Sequence, residues 1–138
     1  MHKWSVATNG NQIVEGNASI APDGTYSATK FATITPTGGS TLQWLFNNVS
    51  GSYGGVTVTG SFWARSDTNQ TLQAHITDNI SGSTYSYDVT TEWQRFTFTK
   101  TANASSNGVG LYPIFISNTN GVTVYFWGGQ LEAGAFPT

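Results

Sequence analysis

The chain contains no cysteine, which excludes a disulfide scaffold, a thiolate zinc site and a cysteine nucleophile. Charge is scarce: 12 of the 138 residues are Asp, Glu, Lys or Arg, where about a quarter is usual. The five basic residues, Lys3, Lys30, Arg65, Arg95 and Lys100, are scattered and the net charge is -2. Phosphate neutralisation needs clustered cations, so a nucleic-acid surface of ordinary strength is excluded. No apolar run approaches the ~18 residues of a membrane span. The start, Met1-His2-Lys3-Trp4-Ser5, has no apolar segment of a signal peptide. The end, after Glu132, is abrupt, so we expect a module excised from a larger protein. At about 14.8 kDa, residues 1–138 are expected to form one domain.

What is abundant is polar but uncharged. Thr, Ser and Asn number 21, 14 and 11, Gly adds 16, and aromatics make up 14%. A disordered chain would lack those rings. A surface of this kind suits a neutral partner bearing hydroxyls.

Everything reads as strand. β-branched and aromatic residues dominate, and turn residues interrupt them about every ten positions. Residues 4–6 and 12–14 are short candidates. Longer ones cover 25–34, 41–48, 56–66, 70–78, 83–89, 92–100, 109–117 and 122–132. The first long strand follows Ala21-Pro22-Asp23-Gly24, where Pro presets φ and Gly accepts φ > 0. Asn107-Gly108 and Asn120-Gly121 are further turn dipeptides. Eight long strands without a helix predict an all-β fold, a jelly-roll β-sandwich of two antiparallel sheets.

Alternation assigns faces. In 56–66, Val56, Val58, Phe62 and Ala64 should face the core, and Trp63 and Arg65 the outside. In 70–78, Leu72, Ala74 and Ile76 are core; Gln73, His75 and Thr77 are outward. Phe96 and Phe98 point inward. A polar strand face carrying a Trp is the anomaly, since exposed large aromatics commonly bind something.

Four segments carry a resemblance. Thr90-Thr-Glu-Trp-Gln-Arg-Phe-Thr-Phe98 resembles the strand signature of β-sandwich carbohydrate-binding modules, above all the xylan- and β-glucan-binding, family 4-like type with a concave cleft. Tyr125-Phe-Trp-Gly-Gly-Gln-Leu-Glu-Ala-Gly-Ala-Phe-Pro-Thr138 resembles the closing motif of related domains in bacteriophage tail and depolymerase proteins. Ala21-Pro-Asp-Gly-Thr25 and Phe62-Trp-Ala-Arg-Ser66 are similar to the start and the central strand of the same group. The resemblance implies a non-catalytic module with a groove built from 41–48, 70–78, 83–89 and 109–117. Its ring donors would be Trp44, Tyr85, Tyr87 and Phe115, with Gln73, His75 and Asn47 as polar partners. In the xylan binders a His often stands where this chain has Phe115. Residues 56–66 would lie in the opposite sheet, which puts Trp63 and Arg65 on the far surface, away from the groove; the alternation reading alone keeps them as second-rank carbohydrate contacts.

The chemistry is consistent with that reading. A pyranose has an apolar C–H face and a rim of hydroxyls. A flat ring buries the face for about 1–2 kcal/mol, and amides or imidazole match hydroxyl pairs with a donor and an acceptor. Each candidate has a plainer alternative. Trp44 alternates with Leu42 and Phe46, and Tyr85 and Tyr87 share a face with Val89, all of which suit a core. His75 also suits a solvated surface. Trp93 and Trp127 are expected in the core.

Partners would be a polysaccharide or oligosaccharide and further domains of a parent chain, outside the cell or on a virion, with no nucleic acid and no membrane. No cofactor is expected apart from a structural calcium ion, which related modules hold near the chain ends; Glu15 and Glu132 could supply its carboxylates. The rival reading is a structural or oligomerisation domain of a phage tail fibre that binds no glycan. A small glycosidase would need two facing carboxylates, and only Asp78 and Asp88 could converge. The five Asn-x-Ser/Thr sequons follow from composition and carry no meaning.

Overall fold

The computed structural model describes residues 12–33, 41–44, 47–50, 53–117 and 123–134, with side chains at 15–32, 53–114 and 123–134. The described residues contain strands and no helix. The strands are β1 (Gln12–Ser19), β2 (Ala28–Thr33), β3 (Thr41–Trp44), β4 (Asn47–Ser50), β5 (Thr57–Ser66), β6 (Gln70–Thr77), β7 (Gly82–Val89), β8 (Gln94–Thr101), β9 (Gly108–Tyr112), β10 (Ile114–Ser117) and β11 (Thr123–Ala133). The expected strand at residues 4–6 lies outside the described residues.

One layer is a five-stranded antiparallel sheet in the order β1-β2-β11-β5-β8. The other holds the sheet β4-β9-β6-β7 and the pair β10-β3. These last two are pieces of one long pairing. Asn47 lies opposite Leu111 and Trp44 opposite Ile114, with Pro113 between β9 and β10. Proline has no N–H to give a ladder, so the break falls there. This is the two-sheet sandwich that alternation implies, and both candidates at 41–48 and 109–117 are split by that interruption.

The core is the meeting of the two inner faces. Phe31, Val58, Phe62, Ala64, Val124 and Phe126 come from the five-stranded sheet. Leu72, Ala74, Ile76, Val89, Val109 and Leu111 come from the other. Phe62 sits at the centre, its ring 5.4 Å from Tyr87, 5.7 Å from Phe126, and 6.0 Å from both Phe96 and Phe98. Edge-to-face pairs such as the first two add about 0.5–1.5 kcal/mol each beyond their buried area. Gly60 marks where the layers pinch: a Cβ there would lie 2.9 Å from the Leu111 side chain.

One expected core residue is displaced. Val56 is exposed, because its N–H closes a turn onto the Tyr53 carbonyl before β5 begins. The Pro22-Asp23-Gly24 turn forms as its residues dictate. The Gly24 N–H donates to the Ala21 carbonyl at φ +86°. The Asp23 carboxylate accepts from the hydroxyl and the N–H of Thr25, and these bonds lower its pKa.

Candidate functional site

The four segments expected to build a groove do assemble into one layer, as β3/β4, β9/β10, β6 and β7. On the outer face of that layer, three neighbouring strands place Tyr112, His75 and Thr84 in one row. The His75 ring meets Tyr112 edge-on at 5.9 Å, and its Nδ1 lies 2.9 Å from the Thr84 hydroxyl. The ring also lies across Gly82, where a Cβ would come within 2.1 Å of it. Glycine is therefore what lets the imidazole lie down on the sheet. Burial, and then the Lys100 charge, lower the His75 pKa, so the ring is neutral at pH 7. The next row holds the exposed Gln73 opposite Ser86, and the one after it Thr71, whose hydroxyl donates to Asp88 at 2.7 Å. Among the described residues this face is a strip of hydroxyls, an amide, an imidazole and one tyrosine, with the exposed Asp88 carboxylate at the Thr71 end.

Tyr85 and Tyr87 do not belong to it. Tyr87 stands opposite Leu72 and Tyr85 opposite Ala74, both core residues, so β7 turns the two rings inward. Tyr87 is only 5% exposed, and its hydroxyl donates to the Pro113 carbonyl at 2.6 Å. Burial raises its pKa well above the usual value. Tyr85 stacks on Phe98 at 5.2 Å and donates to the Thr99 carbonyl. Packing has buried the Tyr87 ring, while Tyr85 points inward and is half-buried. The side chains of Trp44, Asn47 and Phe115 lie outside the described residues. Tyr112 was missed as a site residue. Its signal was the alternation of β9, where Val109 and Leu111 are core and residue 112 must then face out.

The opposite face is different in kind. Across β8, β5 and β11 runs a row of Arg95, Trp63 and Trp127. The two tryptophans are half-buried and line a cleft of about 570 Å3, together with Asn17, Ser27, Gly128, Gly129, Arg95 and Gln130. The ladder between β11 and β5 shifts between Trp127 and Gln130. Gly128 there adopts φ +63°, and a Cβ on it would lie 3.3 Å from the Trp63 ring. This bulge of two glycines opens the cleft beside the rings. Trp127 donates from Nε1 to the Ser27 hydroxyl. Arg95 Nη2 donates to Gln130 Oε1 at 2.8 Å and to the Ser61 hydroxyl at 3.3 Å.

Trp63 and Arg65 thus lie on the far surface, as the resemblance implies, but only Trp63 faces the cleft. The Arg65 guanidinium lies over Tyr125 at 4.1 Å and beside Trp93 at 5.5 Å, and donates to the Ser19 hydroxyl. These contacts tie it to β1, β11 and the segment carrying Trp93. Trp93 and Trp127 are not core residues. Both are half-buried, with their indole N–H groups bonded to the Ile20 carbonyl and Ser27.

The acids separate rather than converge. Asp88 stands opposite Thr71, seven residues along the chain from Asp78 and therefore about 20 Å away. Glycoside hydrolysis needs two carboxyls within about 5–10 Å. Asp78 is buried and fully engaged. Its carboxylate accepts the N–H groups of Ile80, Ser81 and Asn103, with Lys100 Nζ 3.9 Å away. Burial alone would raise its pKa, but these donors and the Lys100 charge prevail and bring it to about 2. It ties the β6–β7 loop to the β8–β9 loop. Glu15 and Glu132 are likewise apart. Glu15 pairs with Lys30, which faces Tyr125, seven residues from Glu132 on β11. That is about 20 Å, so the two cannot share an ion. Among the described residues no three His, Asp or Glu gather as metal ligands.

No protein-family model and no curated protein sequence matches the chain. Solved structures do. A carbohydrate-binding module of family 4 superposes with a TM-score of 0.65 at 21% identity, over 94% of this chain and 92% of that one. The family 61 module TmCBM61, solved with β-1,4-galactotriose, gives 0.62 at 14%, over 95% and 88%. The enzymatically active domain of tailspike protein 4 from bacteriophage CBA120 gives 0.61 at 12%, over 96% of this chain but 19% of that one. The chain has the β-sandwich fold found in carbohydrate-binding modules, a fold that also occurs as a part of larger phage and polysaccharide-handling proteins.

Proposed function

We propose that the chain is a non-catalytic carbohydrate-binding module that takes a neutral polysaccharide or oligosaccharide across the outer face of β4-β9-β6-β7. The observation that carries this reading is the Tyr112–His75–Thr84 row with Gln73 beside it. The Tyr112 ring covers the C–H face of one unit. The Gln73 amide offers a donor and an acceptor to vicinal hydroxyls, and the neutral imidazole, oriented by its Nδ1–Thr84 bond, flanks them. One stacked ring and two or three hydroxyl contacts, less ordering costs, give a dissociation constant on the order of 100 µM. Phe115, which the resemblance makes a ring donor, would extend the face, whereas Trp44 stands opposite the buried Ile114. The module would hold a parent enzyme or tail protein near its polymer, outside the cell or on a virion, by raising effective concentration. The separation of the acids supports a binding role over hydrolysis.

Affinity electrophoresis in gels containing xylan, β-glucan, mannan or galactan tests this. At least one neutral polymer should retard the protein. Tyr112→Ala and Gln73→Ala should each weaken retardation about tenfold while circular dichroism and melting temperature hold. Absence of retardation in every gel, or full retardation of both variants, overturns the reading. The tailspike likeness favours a second reading, a domain that joins tail-fibre chains. A trimeric mass by light scattering, without glycan binding, would decide for it.

A further inference from the structure

The cleft on the five-stranded sheet has no place in the function proposed above. Its ionisable lining is a single cation, Arg95. Among the described residues the printed contacts of that guanidinium are to an amide and a hydroxyl and not to a carboxylate. Arg95 is held at one edge by Gln130 and Ser61, both bonded through Nη2, so the rest of the fork faces solvent in a fixed orientation. Next to it, in the same row, stand two half-buried indoles. Neighbouring strands are about 4.8 Å apart, so the row spans roughly 10 Å. The Gly128–Gly129 bulge keeps the space above the rings open, and the volume lies within the ordinary range of ligand clefts, about 300–1,000 Å3.

We infer that this cleft is a second, independent saccharide site and that its ligand is acidic: a uronate unit whose C–H face lies on Trp63 or Trp127 and whose carboxylate takes the Arg95 guanidinium. With Nη2 engaged, the guanidinium still offers a carboxylate a charge-assisted hydrogen bond from another of its nitrogens, which a neutral sugar cannot match in charge. Asn17 and Ser27 border the far side and suit ring hydroxyls. The two faces of one sandwich thus divide the work by charge, neutral units on one side and carboxylated units on the other. A module of this kind would bridge two polymers, or two kinds of unit in one mixed polymer. The chain's net charge of -2 disfavours indiscriminate adsorption to a polyanion, so binding reports the cleft itself.

The test is affinity electrophoresis in polygalacturonate and alginate, with fully methyl-esterified polygalacturonate as the uncharged control. Retardation by at least one of the two acidic polymers is expected, reduced severalfold between 50 and 500 mM NaCl and absent in the ester. Arg95→Gln should lose at least tenfold in apparent affinity. This exposed substitution should leave the melting temperature unchanged, and Trp63→Phe should retain part of the binding that Trp63→Ala loses. Tyr112→Ala should bind the acidic polymers as the parent does. No retardation by either acidic polymer, or unchanged retardation of both Arg95→Gln and Trp63→Ala, overturns the proposal. Neither result touches the neutral-glycan gels, so the two readings fail separately.

Discussion

The two outer faces are built on the same scaffold, three antiparallel strands presenting one residue each, yet they carry opposite chemistry. The Tyr112–His75–Thr84 row is neutral and made mostly of hydrogen-bonding groups. The Arg95–Trp63–Trp127 row is mostly ring, with one fixed positive charge. A count of tryptophans alone would assign all ligand binding to the second. The difference teaches that aromatic content and site location are separate questions, because rings also serve the fold. Trp93 and Tyr125 flank a buried-side arginine, and Tyr85 and Tyr87 pack inward on Phe98 and Phe62. A ring signals a ligand only where the register leaves open space above it.

Three substitutions sharpen that contrast. The largest effect is expected from Asp78→Ala, which strips three backbone N–H groups and Lys100 of their partner beneath the loops at one end of the sandwich. The loss should be about 3 kcal/mol, or roughly 10 °C in melting temperature, read by calorimetry. The sign with pH follows from a folded pKa of about 2, against an ordinary 3.8. The contribution is complete above about pH 4 and disappears as pH falls toward 2, because the unfolded chain then binds the proton first. The variant should therefore lose less stability than the parent over that interval. His75 acts in the same direction at higher pH, since a lowered folded pKa makes its protonation favour unfolding below about 6.5.

A smaller effect, about 1–2 kcal/mol, is expected for Gly82→Ala, whose new methyl must push the His75 ring off the sheet. Retardation by the neutral polymer should fall while retardation by the acidic one stays. Loss of both would show that the faces are coupled and break the comparison. The smallest is Arg65→Gln, at about 1 kcal/mol for the cation–π clamp. Neither polymer should notice it. A drop in acidic-polymer binding would place the decisive charge at Arg65 instead of Arg95.

How much of this was legible depended on how far each signal reaches along the chain. Strict alternation in β5 and β6 is local, and it placed Phe62, Leu72, Ala74, Ile76 and Trp63 on their correct faces. The same rule pointed Tyr85 and Tyr87 inward with Val89, against the groove role that the resemblance implied for them. Trp127 was misplaced because Tyr125-Phe-Trp127 is one apolar run. Only the inward burial of Val124 and Phe126 shows that its third ring faces out. Asp78 was unreadable as a structural hub, since one of its partners, Asn103, is 25 residues away. The cleft beside Gly128 depends on a bulge and a cross-strand partner, and neither has a sequence pattern of its own.

Gly60 gives the sandwich a property that none of its surface residues controls. Between the two layers, the absence of one methyl group lets β5 lie close against Leu111 of β9. Adding that methyl would work as a shim between two curved plates, flattening or tilting the outer wall without touching any group that meets solvent. The contour of that wall is thus adjustable from within, by variation at a hidden position that leaves the exposed chemistry intact.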